Sequence, residues 1–127
     1  MSEDKTPETP GTFLDRGIMF AMRGDYDGAI ADFSDAIRLN PNDASAYYNR
    51  GNAYAGKGDY DKAIADYTEA IRLDPNLASA YNNRGNVYYD KGDIDRAIAD
   101  WEAVLRIDPN HANARGNLEQ ARQRRGR

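Results

Sequence analysis

The stretch ASAYYNRGNAYAGKGDYDKAIADYTEAIRLDPNL, residues 44–77, is followed at once by ASAYNNRGNVYYDKGDIDRAIADWEAVLRIDPNH, residues 78–111, and the two agree at 21 of 34 positions. The period reaches upstream as well. Asn-Pro or Asp-Pro falls at Asn40-Pro41, Asp74-Pro75 and Asp108-Pro109, each 34 residues after the last. Arg-Gly recurs at Arg16-Gly17, Arg50-Gly51 and Arg84-Gly85, and Gly-Asp at Gly24-Asp25, Gly58-Asp59 and Gly92-Asp93. A period of this length marks stacked units, none of which can bury its apolar face alone. Three units follow, 10–43, 44–77 and 78–111, with a tail over 1–9 expected to be flexible and a last segment over 112–127.

Each period holds two amphipathic helices. In the second unit helix A is expected over about 44–55 and helix B over about 61–73. Gly58 stands where a left-handed C-terminal cap is wanted, Asp59 can cap helix B, and Asp61 adds negative charge to its first turn. Pro75 cannot continue helix B, and Asn76 offers a cap for the next helix, as Asn42 and Asn110 do in the other units. Gly17, Gly51 and Gly85 with Ala29, Ala63 and Ala97 allow close helix approach. Phe13/Tyr47/Tyr81, Phe20/Tyr54/Tyr88 and Phe33/Tyr67/Trp101 fill the space between, at helical spacing in every unit, and read as core.

These residues resemble the tetratricopeptide-repeat (TPR) family: a large residue at repeat position 4, Gly at 8, an aromatic at 11, Ala at 20, an aromatic at 24, Ala at 27 and Pro at 32. Two departures stand out. Position 7, usually Leu in the family, is Arg16, Arg50 and Arg84, and position 27 is Val104 in the third repeat. The resemblance implies an all-α, right-handed solenoid of three helix-turn-helix repeats and a capping helix, seven helices in all. In the last helix Ala114, Leu118 and Ala121 form the apolar stripe, while Arg115 and Arg122 replace the aromatics.

Composition narrows the function. The chain has 127 residues, no cysteine and a net charge of −4. Residues 112–127 carry five Arg against Glu119, so the rest of the chain stands at −8. An acidic body argues against nucleic acid, which needs a basic face; Arg115, Arg122, Arg124, Arg125 and Arg127 are the one feature that keeps it open. No window is apolar enough to span a membrane. The polar N-terminus lacks a secretory signal, which leans toward the cytoplasm, with the periplasm open if a signal was removed.

The family resemblance implies that helix A of each repeat lines a concave groove. Asn49, Asn83 and Asn117 recur there once per unit, and Asn52 and Asn86 form a second row. Asparagine is a mediocre helix former, but its carboxamide can grip a peptide unit's N–H and C=O together. The competing reading is that these residues solvate the surface or bond the neighbouring helix. Tyr48 and Tyr89 fall outside the packing pattern and are expected as exposed, interface-type aromatics. In the first repeat Leu14, Ile18 and Met22 make an apolar stripe, read as a pocket, as a contact with a second copy, or as a seat for a fold-back of Met1–Pro10. The carboxylate clamp with which some TPR domains hold acidic chaperone tails is not matched, because its five positions read Leu14, Ile18, Asn49, Ser79 and Asn83.

Catalytic chemistry finds no foothold. His111 is the only histidine, and the Asp-x-Asp pairs (Asp25/Asp27, Asp59/Asp61, Asp93/Asp95) lack the remaining ligands of a calcium loop. No phosphate loop, zinc spacing or nucleophile elbow occurs, so no catalytic residue, metal or cofactor is expected. The sequence reads as a scaffold or adaptor holding an extended peptide or partner protein, the alternative being self-assembly through the first-repeat face.

Overall fold

A computed structural model describes residues 8–126; the expectations for Met1–Pro7 and for Arg127 lie outside the described residues. Seven helices follow one another: α1 (Pro10–Met22), α2 (Tyr26–Leu39), α3 (Ala44–Gly56), α4 (Tyr60–Leu73), α5 (Ala78–Lys91), α6 (Ile94–Ile107) and α7 (Ala112–Arg125). Among the described residues there is no strand. Each helix packs on the next, α1 also touches α3, and α3 touches α5. A side-chain bond from Asn117 to Asn86 joins α7 to α5. The odd-numbered helices therefore make one layer and the even-numbered helices the other, the all-α solenoid expected.

Local chemistry sets most boundaries. Gly24, Gly58 and Gly92 follow α1, α3 and α5 with φ of +79°, +81° and +87°, the left-handed conformation that a side chain would strain. Asp25 and Asp93 then cap α2 and α6, accepting from the N–H of Gly28 at 2.9 Å and of Arg96 at 3.3 Å. Thr9 and Thr12 form a capping box at the start of α1, so Thr9, assigned to the tail by its sequence, belongs to the first helix.

The caps expected at Asn42, Asn76 and Asn110 are one residue out. The capping positions are Asp43, Leu77 and His111. Asp43 accepts from Ser45 N at 3.0 Å and His111 Nδ1 from Ala114 N at 3.1 Å; Leu77 has no side-chain acceptor. The cause is the turn before. Asn40, Asp74 and Asp108 each accept from the N–H two residues on, at 3.3, 3.2 and 3.2 Å. These turns hold the three asparagines inside the loop.

Packing follows the period. Phe33, Tyr67 and Trp101 are almost wholly buried, and each lies against a helix A glycine. A Cβ on Gly17, Gly51 or Gly85 would stand 2.6, 2.8 or 2.9 Å from the opposing ring. Small clusters repeat along the axis, and the last joins Trp101, Ile98 and Val104 to Ala114, Leu118 and Ala121 of α7, the stripe expected of a cap. Leu14 and Ile18 are correspondingly not a free stripe. Leu14 packs beside Phe13, Ala36 and Ala46, and Ile18 beside Phe33 and Ala53, because α3 stacks on α1. Met22, 81% exposed, stands clear, and so does Met19 at 53%.

The arginines at position 7 have partners that the sequence reading did not find. Arg16, Arg50 and Arg84 each make a bidentate pair with an aspartate 16 residues on, Asp32, Asp66 and Asp100, at 2.7–2.9 Å. The three carboxylates are only 4–5% exposed. Aromatic rings of helix A flank the guanidinium groups at 5.5–5.9 Å: Phe13 for Arg16, Tyr47 and Tyr54 for Arg50, Tyr81 and Tyr88 for Arg84. Arg50 and Arg84 also donate to Ser34 at 3.2 Å and Thr68 at 3.1 Å on the preceding helix B. The hydrogen bond to Asp66 raises the pKa of Arg50. Burial pushes the Asp100 carboxyl up, against the pull of Arg84. Both residue types recur at the period, so the signal was present in the pairing of two columns. In α7 the same position is Leu118, 4% exposed, and no described helix follows to supply an aspartate.

Replacing Arg84 with Leu strands Asp100 and should cost about 3 kcal/mol in urea unfolding, whereas Arg84→Leu with Asp100→Leu should recover most of it. In the single variant the folded-state pKa of Asp100 lies further above its unfolded value. Stability should therefore be greatest below the usual carboxylate range and fall as pH rises toward neutral. A flat pH profile in that variant would count against the pairing as described.

Candidate functional site

Helices α3, α5 and α7 bring the two asparagine rows together. Asn49 and Asn52 lie on α3, Asn83 and Asn86 on α5, and Asn117 on α7, all partly buried. The rows bond each other. Asn83 Nδ2 donates to Asn52 Oδ1 at 2.9 Å, and Asn117 Nδ2 to Asn86 Oδ1 at 3.4 Å, each across 31 residues. Asn49 would need an acceptor on α1, but the residue there is Ile18; its amide turns instead to the Ser45 carbonyl of its own helix at 2.9 Å.

Around Asn52 the network deepens. The Tyr67 hydroxyl donates to Asn52 Oδ1 at 2.5 Å, and Asn83 Nδ2 donates to the Tyr48 hydroxyl at 3.1 Å. Burial pushes the Tyr67 pKa well up, so this hydroxyl stays a donor. Tyr48, expected to be exposed, is partly buried with its ring 6.0 Å from that of Tyr67. Tyr89 is likewise partly buried, 5.7 Å from Trp101, with the Arg124 guanidinium 5.0 Å from its ring centre. The asparagine ladder is thus partly an internal lattice between helices. Both amide hydrogens of Asn83 are engaged, and what it presents outward is its carbonyl oxygen.

Past Asn86 the surface opens into a cavity of about 330 Å³ lined by Asn86, Tyr89, Asp90, Trp101, Asn117 and Gln120. Trp101 is a site residue that sequence reasoning assigned only to the core. Its Nε1 and the Asn82 Oδ1 are buried without a hydrogen-bond partner. The change from Phe33 and Tyr67 to Trp at this column was the available signal.

The basic end is largely paired within the chain. Arg122 reaches Glu102 at 3.4 Å and Arg125 reaches Asp95 at 3.6 Å. Arg115 donates to the Pro109 carbonyl at 2.6 Å. The Arg125 pair continues a series, because Lys57 bonds Asp27 at 2.6 Å and Lys91 bonds Asp61 in the same relation. The second aspartate of each Asp-x-Asp pair is thereby explained. Among the described residues no three His, Asp or Glu side chains gather as a metal ion would require. Among the described residues no helix is long and apolar enough to cross a membrane.

Family models described as "TPR repeat" match residues 17–58 and 51–92, and one described as "Tetratricopeptide repeat" matches residues 78–111. The chain belongs to the tetratricopeptide-repeat family. No curated protein matches it. Among solved structures it is similar to the second TPR domain of the human RPAP3 protein in complex with the HSP70 peptide SGPTIEEVD. That likeness has 30% identity, 89% of this chain and 98% of the other covered, and a TM-score of 0.83. The first TPR of Spaghetti (RPAP3), bound to the HSP90 peptide SRMEEVD, shares the fold at a TM-score of 0.91 and 24% identity, with 94% of each chain covered. MamA follows at 29% identity and a TM-score of 0.89, covering 92% of this chain and 68% of the other.

The lattice separates the asparagines by their effect on folding. Asn52→Ala removes the acceptor of a buried Tyr67 hydroxyl and should cost about 1–3 kcal/mol. Asn49→Ala loses only a bond to its own helix and should leave the melting temperature nearly unchanged, with alanine's helix propensity offsetting the loss. Thermal unfolding of the two variants side by side is the check; equal losses would refute the assignment.

Proposed function

We propose that this chain is a protein-interaction module that holds an extended segment of a partner protein along the layer of α1, α3, α5 and α7. One observation carries the reading: a TPR domain 30% identical over nearly its whole length was solved with a peptide bound. In support, the same layer here presents a continuous polar row, from Asn49 and Asn52 through Asn83 and Asn86 to Asn117, with Tyr48 and Tyr89 beside it. On this reading Asn83 meets the ligand as an acceptor, while Asn49 offers an amide hydrogen and its carbonyl. Because internal bonds already orient these side chains, less conformational freedom is lost on binding. Scaffolding, not catalysis, is the role that follows. The single histidine is engaged in capping α7 through its Nδ1.

The ligand differs from those of the peptide-bound neighbours. Both of their peptides end in Glu-Glu-Val-Asp, and the clamp positions implied by the family resemblance carry no cation here. A second reading, association between copies, has Met19 and Met22 of α1 in its favour. It replaces the broader Leu14, Ile18 and Met22 face, two members of which are engaged inside the chain.

Calorimetry with the peptide SGPTIEEVD should give no micromolar binding, since a terminal carboxylate finds no cation at the clamp positions Leu14, Ile18, Asn49, Ser79 and Asn83. Micromolar affinity would sink this account of the ligand. If copies associate through α1, light scattering over a concentration series should show a dimer in the parent and a monomer in Met19→Ser/Met22→Ser; a monomer in both removes the second reading.

A further inference from the structure

Residues 78–111 depart from residues 44–77 at 13 positions, and three of these departures meet in one place. Ala55, Gly56 and Tyr67 become Tyr89, Asp90 and Trp101, and all three line the cavity between α5, α6 and α7. In the second repeat the Tyr67 hydroxyl occupies Asn52 Oδ1 at 2.5 Å. Trp101 carries no hydroxyl. Its counterpart Asn86 Oδ1 therefore keeps acceptor capacity, holding one bond of 3.4 Å from Asn117.

The walls of this cavity are negative or electron-rich. Asp90 is exposed and makes no ion pair among the described residues, unlike Asp27, Asp61 and Asp95. Asn86, Asn117 and Gln120 add carboxamides, Tyr89 and Trp101 add ring faces, and no lining residue is a cation. Arg124, 5.0 Å from the Tyr89 ring centre, already uses that ring as a guanidinium contact. A carboxylate set against a carbonyl with acceptor capacity left and two aromatic rings favours a positive group. A ligand carboxylate would be repelled by Asp90, and a neutral amide would forgo the charge attraction.

We propose that this cavity receives the side chain of a lysine or arginine in an extended partner peptide. Its volume, about 330 Å³, has room for one long side chain. The ammonium or guanidinium would lie between Asp90 and Asn86 Oδ1, with its stem along Tyr89. The assignment rests on the groove reading above and gives it a charge preference opposite to that of an acidic-tail clamp.

The test uses the full chain as bait for a random dodecapeptide display library. Enriched peptides are titrated by the fluorescence of Trp101, the chain's only tryptophan. The expected peptides carry a Lys or Arg whose change to Gln weakens binding about tenfold, and Asp90→Asn weakens the parent peptide about as much. The two changes together should cost little more than either alone. Peptides that bind but lack a basic residue, or that bind Asp90→Asn undiminished, overturn the pocket assignment. If such peptides still lose affinity in Asn49→Ala, the groove reading stands without it. No enrichment, or binding indifferent to both variants, overturns the two readings together.

Discussion

A carboxylate buried in each of the three repeats is the feature around which the packing is arranged. Asp32, Asp66 and Asp100 sit on the inner faces of α2, α4 and α6, where an unpaired charge would cost several kcal/mol. The arginine facing each one satisfies both oxygens, lies against helix A aromatics and, from the second repeat on, reaches the preceding helix B. One side chain thus ties together three helices. An ordinary hydrophobic contact at this position would tolerate sliding; a two-pronged ion pair at less than 3 Å does not. The helix A glycines supply the matching steric constraint, because the ring of each helix B aromatic lies where a Cβ would be.

The ends of the array show what the repeated pair requires. At the N-terminal end a threonine capping box starts α1, and the asparagine rows have no member on that helix; Ile18 holds the site and packs inward. At the C-terminal end α7 keeps the period but exchanges the arginine for Leu118, and that helix is held by a small apolar stripe. The exposed ion pair between successive units runs through to the end, as Arg125 with Asp95, and so does the asparagine bond, as Asn117 with Asn86. Exposed pairs of that kind contribute little energy but continue the charge pattern. Four of the terminal arginines consequently have contacts within the chain.

The polar layer is organised by the same economy. Carboxamides packed between helices cannot leave their donors unpaired without cost, so Asn83 bonds Asn52, Asn117 bonds Asn86 and Tyr67 closes on Asn52. Such a lattice spends part of the recognition capacity of the row, and in return holds the remaining acceptors in place for a ligand. Where the third repeat breaks the pattern, the lattice opens and a cavity results.

Helix count, boundaries and the location of the core were legible in the sequence because they rest on features within one 34-residue period: left-handed glycines, aspartates ahead of helices, prolines after them and aromatics at helical spacing. The family was legible for the same reason. The cap positions failed by one residue, since a turn closed by Asn40, Asp74 or Asp108 competes locally for the same backbone groups and both outcomes suit the same letters. The Arg–Asp pairs, the bonds between Asn83 and Asn52 or Tyr48, and the cavity under Trp101 required the folded chain. They join side chains 15 to 35 residues apart on different helices, and whether an asparagine faces a ligand or its neighbour depends on the angle and spacing at which those helices stack.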